Sequence, residues 1–369
     1  MKKLFLCFII LVSVFVRVGA VDFGGLLASD TEFTKIGDES FAVAETADAI
    51  LNLRVPFSKD GRSYMVAEGM YRFEVVQDDL SHILDMPLLK VNFALDSAAG
   101  VLNVSAGRYG IQDITGKIFL QPTDGLSFVY SSDSVVSSVY AGYTGLINSK
   151  TTDMVEVPSF EPAGNDLYVL SLPYLVFSGG VELPYLAFNQ TLLFDLWGFV
   201  GTQGLGKNSV YTSLAASGPL AGTLFHTTGA SFLVDITDAK TTFGFLADFN
   251  LVWNLPSIRS NVLASFVYAS KNFNSITSQS PFVAGVHWNN LMTAGLCFSV
   301  VPVSSVYVGA ETMVLFDGDE FGYKGTQFSG KAKWQILSDV HIAGVASYFM
   351  ASENVGSVAS FTIEAAISF

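Results

Sequence analysis

Few side chains in this sequence can do chemistry, and in one place their spacing is regular. Arg54, Arg72 and Lys90 recur every 18 residues, each on the polar side of a stretch in which apolar and polar residues alternate. A row of cations on one wall draws anions and orders water without a cofactor. Arg108 extends the spacing but shares parity with Leu102, Val104 and Ala106, so it joins the row only if a bulge at Gly107 or Gly110 flips it. A matching set of acids, Asp153, Glu156, Glu161 and Asp166, stands against Lys150 in the segment 147–167, which is long enough to fold inward. Glu68, Glu74, Asp96, Asp248, Glu311, Lys331, Lys333 and Glu364 also fall on polar faces. They could instead neutralise the row: Glu68 and Glu74 share a face with Arg72, and Asp96 shares one with Lys90. Exposed pairs of that kind contribute little energy.

Enzyme chemistry finds no footing. His82, His226, His287 and His341 are scattered without metal spacing or a nearby motif-bound nucleophile. Asp317-Gly-Asp-Glu320 lacks the further ligands of a calcium loop and reads as a solvated acidic tip. The expectation is a protein with no catalytic residue, no metal and no cofactor.

Half of the residues are apolar, 13% are aromatic and only 14% are charged. A soluble domain carries about 25% charged residues. No run reaches the length of a spanning helix. The apolar stretch Leu4 to Val16, after Lys2 and Lys3 and before Val18-Gly19-Ala20, reads as a signal peptide over residues 1–20. Its removal takes away Lys2, Lys3 and Arg17 and no acid, moving the net charge from −14 to −17. Such an acidic chain is not a nucleic-acid binder. With Cys7 in the leader, Cys297 is alone, which excludes an internal disulfide.

An exported, oily chain without a spanning helix must pair every backbone amide internally, which leaves a closed barrel. Period-two alternation recurs down the chain, most cleanly at Phe243, Phe245, Ala247, Phe249, Leu251 and Trp253. It gives about eighteen strands, within a range of roughly 14 to 18. The segment 181–200 alternates poorly and could hide a turn. Short connections are expected near 338–339, 302–304, 256–260, 217–221, 178–180, 131–134, 97–100 and 58–62. Longer ones are expected at 271–288, 147–166, 110–124 and 35–46. Trp197, Trp253, Trp334, Tyr71, Tyr185 and Tyr348 suit aromatic girdles at the water interfaces. Gly344, Ala332 and Ala346 on the oily face suit lipid or a second subunit, so a homo-oligomer stays open.

The last stretch, Val358 to Phe369, places Phe361, Ile363, Ile367 and Phe369 on one face and Ser360, Thr362, Glu364 and Ser368 on the other. A terminal strand that ends on Phe resembles the assembly signal of bacterial outer-membrane β-barrels. That resemblance implies a transmembrane antiparallel up-and-down β-barrel spanning 21–369 in the outer membrane, with lipid and the barrel assembly machinery as partners. A basic wall facing an acidic loop resembles the constriction of general diffusion porins, implying passive diffusion of small hydrophilic solutes through a water-filled lumen. The alternatives are a surface adhesin and a transporter of hydrophobic compounds resembling the fatty-acid channel family. In the latter, residues 21–46 would plug the lumen rather than form the first strand.

Overall fold

The structure is a computed structural model that describes residues 21–37, 41–77, 79–152, 154–155, 167–237, 240–277, 282, 285–352 and 356–369. The strands are β1 (Asp22–Ile36), β2 (Ala42–Pro56), β3 (Tyr64–Val76), β4 (Asp79–Ser97), β5 (Gly100–Gln112) and β6 (Leu120–Ser131). They continue as β7 (Val136–Tyr143), β8 (Tyr174–Ala187), β9 (Gln190–Gly201), β10 (Lys207–Ala221), β11 (Leu224–Thr237) and β12 (Thr241–Leu255). The last six are β13 (Ser260–Ala269), β14 (Leu291–Val303), β15 (Val306–Asp317), β16 (Tyr323–Gln335), β17 (Val340–Ala351) and β18 (Val358–Ser368). Each strand pairs antiparallel with its sequence neighbours, and β1 pairs with β18 from Leu26↔Ser368 to Ile36↔Val358, so the 18-stranded sheet closes on itself. Closure removes both sheet edges. Residues 22–36 are therefore wall, and the plug expected of the fatty-acid-channel alternative does not form from them.

Alternation decides inside from outside. Phe243, Phe245, Phe249 and Trp253 on β12, and Phe361, Ile363 and Ile367 on β18, are exposed on the outer surface, as is Phe369 beyond them. Leu246 and Asp248 on β12 are buried inside. An all-round belt of exposed Phe, Leu, Val and Ile on a closed sheet is the surface of a membrane barrel. Trp253, Trp334, Tyr71, Tyr185 and Tyr348 are exposed as expected of girdle residues, but Trp197 is not. It points inward and is 4% exposed, held by an indole N–H donated to Asp195 at 2.8 Å.

The expected short connections occur on one end of the barrel, with one misplacement. Ser178-Gly179-Gly180 is not a turn but the middle of β8, and the chain reverses at Phe188-Asn189 inside the poorly alternating segment. Both turn residues are left-handed, at φ 52° and 59°, the primed geometry that tight hairpins need. Phe in that conformation gives no sequence signal, whereas two glycines in a strand imitate one. On the other end only two connections are long, 144–173 and 270–290, while β1–β2, β5–β6 and β9–β10 are joined by five to seven residues.

Two irregularities shape the lumen. Pro87 lies in a bulge on β4, where Asp85 and Leu88 oppose Met70 and Glu68; a missing N–H is tolerated there. Gly107 on β5 has φ +120°, and a Cβ there would sit 1.9 Å from the Leu89 carbonyl oxygen. Only glycine fits this last close approach before β5 leaves β4. Gly107→Ala is expected to cost about 1 to 3 kcal/mol from backbone strain alone, read as a lower urea midpoint for unfolding from lipid vesicles.

Candidate functional site: the constricted lumen

Residues opposite one another in an antiparallel ladder share a face. The register therefore places Arg54, Glu68, Arg72, Glu74, Lys90, Asp96, Asp248, Glu311, Lys331, Lys333 and Glu364 on the inward side. It does not keep the three regularly spaced cations in one row. Arg54 and Lys90 both stand level with Val66, two strands apart, whereas Arg72 lies six residues further along β3. Equal spacing in sequence is not equal height when one intervening connection is seven residues and the next is two.

Their partners also differ from those the sequence suggests. Arg72 takes Asp48 with two bonds of 2.7 and 2.8 Å, not Glu68 or Glu74. Glu74 accepts from the Ser81 hydroxyl at 3.2 Å. Asp96 is held not by Lys90 but by Arg62, through two bonds of 2.7 Å. In the same turn, bonds from the Ser58 hydroxyl and from Arg62 hold the Asp60 carboxyl well below the usual carboxylate range. Glu364 pairs with His341 at 2.8 Å. Arg54 and Lys90 make no ion pair among the described residues. Arg54 lies 4.7 Å over the Tyr64 ring and donates to the Gly61 carbonyl, and the Lys90 ammonium lies 4.8 Å over the Tyr109 ring. Arg108 stays on the outward parity, taking Asp124 at 2.8 and 3.0 Å.

The acids Asp153, Glu156, Glu161 and Asp166 lie outside the described residues. The short β5–β6 connection, 113–119, enters the lumen together with 270–277 of the β13–β14 connection, and Met154 and Val155 of the 144–173 connection pair there with Thr277 and Ile276. Asp113 folds the first of these. It is fully buried, and its carboxylate accepts from the backbone N–H groups of Thr115 (2.8 Å), Ile118 (3.0 Å) and Phe119 (2.9 Å). The loop is then fastened to distant wall strands. Ile114 N–H donates to Asp195 on β9 at 2.9 Å, and the Lys117 ammonium reaches Asp248 on β12 at 3.4 Å. The second loop docks on the first, with Ile276 N–H donating to the Ile118 carbonyl at 2.8 Å.

Burial drives this docking. Phe119 packs on Trp197 and Phe199 with ring centroids 5.8 and 5.2 Å apart, and the stack continues through Tyr211 to Phe273. Phe119 and Phe273 are both fully buried, so each contributes roughly 2 to 3 kcal/mol of apolar burial. Inward aromatic positions on β9 and β10 thus act as a seat for loops, which a pore lined only with polar groups would lack.

Toward the short-turn end the wall from β2 to β9 borders a cavity of about 970 Å³. Arg54 and Lys90 face it from one side and Asp195 and Trp197 from the other, with Asn103, Ser105 and Ser138 among the neutral groups between. Asp195 (β9), Asp235 (β11) and Asp248 (β12) make the far wall acidic, with Lys207 beside Asp235 at 3.8 Å. Of these three acids, Asp235 and Asp248 are paired with Lys207 and Lys117, and Asp195 has no ion pair among the described residues.

Other residues singled out in the sequence are accounted for locally. His82 bonds the Tyr71 hydroxyl at 2.7 Å and His226 bonds Gln190 at 2.8 Å. Asp317 accepts from Asp319 and Glu320 N–H groups and from Lys324, and Lys271 takes Asp319. No three His, Cys, Asp or Glu gather as a metal-ligand set among the described residues.

No family model matches the sequence, and no curated protein matches it. Solved structures do. Pseudomonas aeruginosa OpdQ superposes with a TM-score of 0.67 at 8% identity, over 95% of this chain and 99% of that one. OccK5 (OpdH) of the same organism gives 0.64 at 11% identity, over 94% and 98%. Pseudomonas aeruginosa OpdK, solved with vanillate, gives 0.59 at 10%, over 94% and 99%. At such identity the likeness is one of architecture, and the fold is that of the porin-type barrels of the bacterial outer membrane.

Proposed function

We propose that this chain is an outer-membrane porin, a passive channel for small hydrophilic solutes whose lumen is narrowed by inward loops and polarised across its width. One observation carries the reading: Arg54 and Lys90 face a sizeable cavity without a carboxylate partner, opposite a wall that carries Asp195. Unpaired cations supply fixed charge to a passing anionic group, whereas paired ones such as Arg72 are already neutralised. OpdK holds an aromatic carboxylate, vanillate, and a small carboxylate suits this subsite on charge. Under the same reading residues 1–20 are the export signal and lipid covers the outer belt. Phe361, Ile363, Ile367 and Phe369 are the face read by the assembly machinery.

The test is reversal potential in a planar bilayer under a salt gradient. Arg54→Ala with Lys90→Ala is expected to move the potential toward cation preference at nearly unchanged conductance. A silent wild-type protein, or a potential that ignores the double substitution, would remove the reading.

A further inference from the structure

Seven of the eight short-end connections are two or four residues long, and the eighth, 57–63 between β2 and β3, is seven. This longer turn leans over the inner face of β4. Asp60, Gly61 and Arg62 border the 970 Å³ cavity beside Arg54 and Lys90, whereas the neighbouring turns at 98–99, 132–135 and 188–189 lend it no residue.

Both ends of the turn are anchored to the wall. Phe57 packs its ring on Phe93 with centroids 5.3 Å apart. At the other end the Ser63 hydroxyl accepts from the Ala94 N–H at 3.0 Å, and the Asn92 amide donates to the Arg62 carbonyl at 2.8 Å, with Ser63 and Asn92 both buried. The tip between them, 58–61, is held differently. Beyond the turn's own internal bonds its ties among the described residues run through two guanidinium groups. Arg54 on β2 donates to the Gly61 carbonyl at 3.2 Å, and Arg62 bridges Asp60 in the tip (2.5 Å) to Asp96 on β4 (2.7 Å). The Arg62–Asp96 pair is exposed and contributes little energy. Gly61 sits at φ +69°, and a Cβ built there would meet no atom within 4 Å, so the tip ends on a left-handed pivot with open space around it.

Arg54 therefore stands between two acceptors. On the turn side its partner is a neutral carbonyl, and on the cavity side a solute carboxylate would compete for the same guanidinium. A charge-assisted bond is roughly twice as strong as one to a neutral acceptor. An anion that binds better once Arg54 has left Gly61 shifts the equilibrium toward that state.

We propose that the β2–β3 turn is a solute-released flap on the short-turn mouth of the cavity. An anionic group that takes Arg54 withdraws it from the Gly61 carbonyl, and residues 58–61 swing away about Gly61 while Phe57, Ser63 and the Arg62 backbone stay on the wall. The inference rests on the reading that Arg54 meets a passing anion, and it gives that residue a second task, which is to keep the exit covered until such a solute arrives. The inward loops narrow the lumen, so small ions pass in either position of the flap and conductance does not report it.

The test measures the turn itself, using the full chain in vesicles with Cys297→Ser and nitroxide spin labels on Lys59→Cys in the tip and Ser134→Cys in the β6–β7 turn. Pulsed double electron–electron resonance should give one main distance in potassium chloride. A second distance, its share raised several-fold, is expected when potassium benzoate replaces the chloride at equal ionic strength. Arg54→Ala should show the second distance in chloride already and respond no further to benzoate, while Lys90→Ala, which leaves the turn's fastenings alone, should still respond. Identical distance distributions in the two salts would overturn the flap, as would an Arg54→Ala barrel that keeps the wild-type distribution. Should that variant fail to resist SDS, the wild-type comparison decides alone. A silent channel with a moving turn would remove the porin reading and leave the flap, whereas a conducting channel with a fixed turn would remove the flap alone.

Discussion

Asp113→Ala is expected to raise single-channel conductance several-fold while leaving the barrel folded. Asp113 sits at the root of the β5–β6 connection with its carboxylate fully buried, and three backbone N–H groups of the loop close on it within 3.0 Å. Removing the acceptor orphans all three in a dry setting, where each unmet donor costs about 1 to 3 kcal/mol. The loop's other attachments do not replace this, because they fix its tip and not its shape. Two of them, Ile114 N–H to Asp195 and Lys117 to Asp248, depend on the turn that Asp113 sets. Wall strands β5 and β6 keep their own ladder from Gln112↔Leu120 to Val101↔Ser131 and do not need the loop. Asp113→Asn keeps one carbonyl acceptor and should fall between the two. An Asp113→Ala barrel that resists SDS like the wild type and conducts no better would show that 113–119 does not narrow the pore.

The same residue shows where sequence reasoning stopped. Alternation revealed the wall because every strand meets lipid on one face and the lumen on the other, a constraint that acts on each residue in turn. Tight turns were legible where polar or glycine-rich pairs make them, and misread where Phe188-Asn189 does the work of the glycines found at 179 and 180. The interior follows a different logic. Acid-rich length pointed to 147–167 as an inward segment, whose acids lie outside the described residues, and left unmarked the seven-residue loop that enters the lumen because Phe119 and Ile118 find an aromatic seat on β9 and β10. That seat was visible only as Trp197, Phe199 and Tyr211, each read as outward or unassigned bulk. Three inward aromatic residues on adjacent strands are the one sequence signal that could have found it, since a polar lumen has no use for them unless something packs there. Likewise the regular 18-residue spacing of Arg54, Arg72 and Lys90 carried no height information, because hairpin connections of unequal length shift the register between strands.

Lys117→Ala is expected to turn the constriction strongly toward cations. The Lys117 ammonium lies 3.4 Å from Asp248 and 3.3 Å from the Thr115 carbonyl, and the Lys117 and Asp248 side chains are 15% and 4% exposed. At that separation and an effective dielectric constant of about 20 the gross attraction is roughly 5 kcal/mol, much of it offset by desolvation of the two ions. At a pH high enough to keep so buried a carboxyl ionised, deleting the lysine leaves Asp248 near Asp113 with no fixed cation from the loop. A mobile cation from solution then becomes the cheapest partner, so cations concentrate where the loop meets the far wall. The reversal potential under a potassium chloride gradient should move toward the potassium limit, in the same direction as the Arg54/Lys90 double substitution but from the opposite wall. Asp248→Asn added to Lys117→Ala should return it most of the way, because the charge that attracted the extra cation is gone. That return separates an electrostatic effect from mere loosening of the loop, since a loosened loop would widen the pore and keep it wide whether or not Asp248 is charged. If Lys117→Ala and the double variant share one reversal potential and differ from wild type only in conductance, the Lys117–Asp248 pair positions the loop and does not set its selectivity.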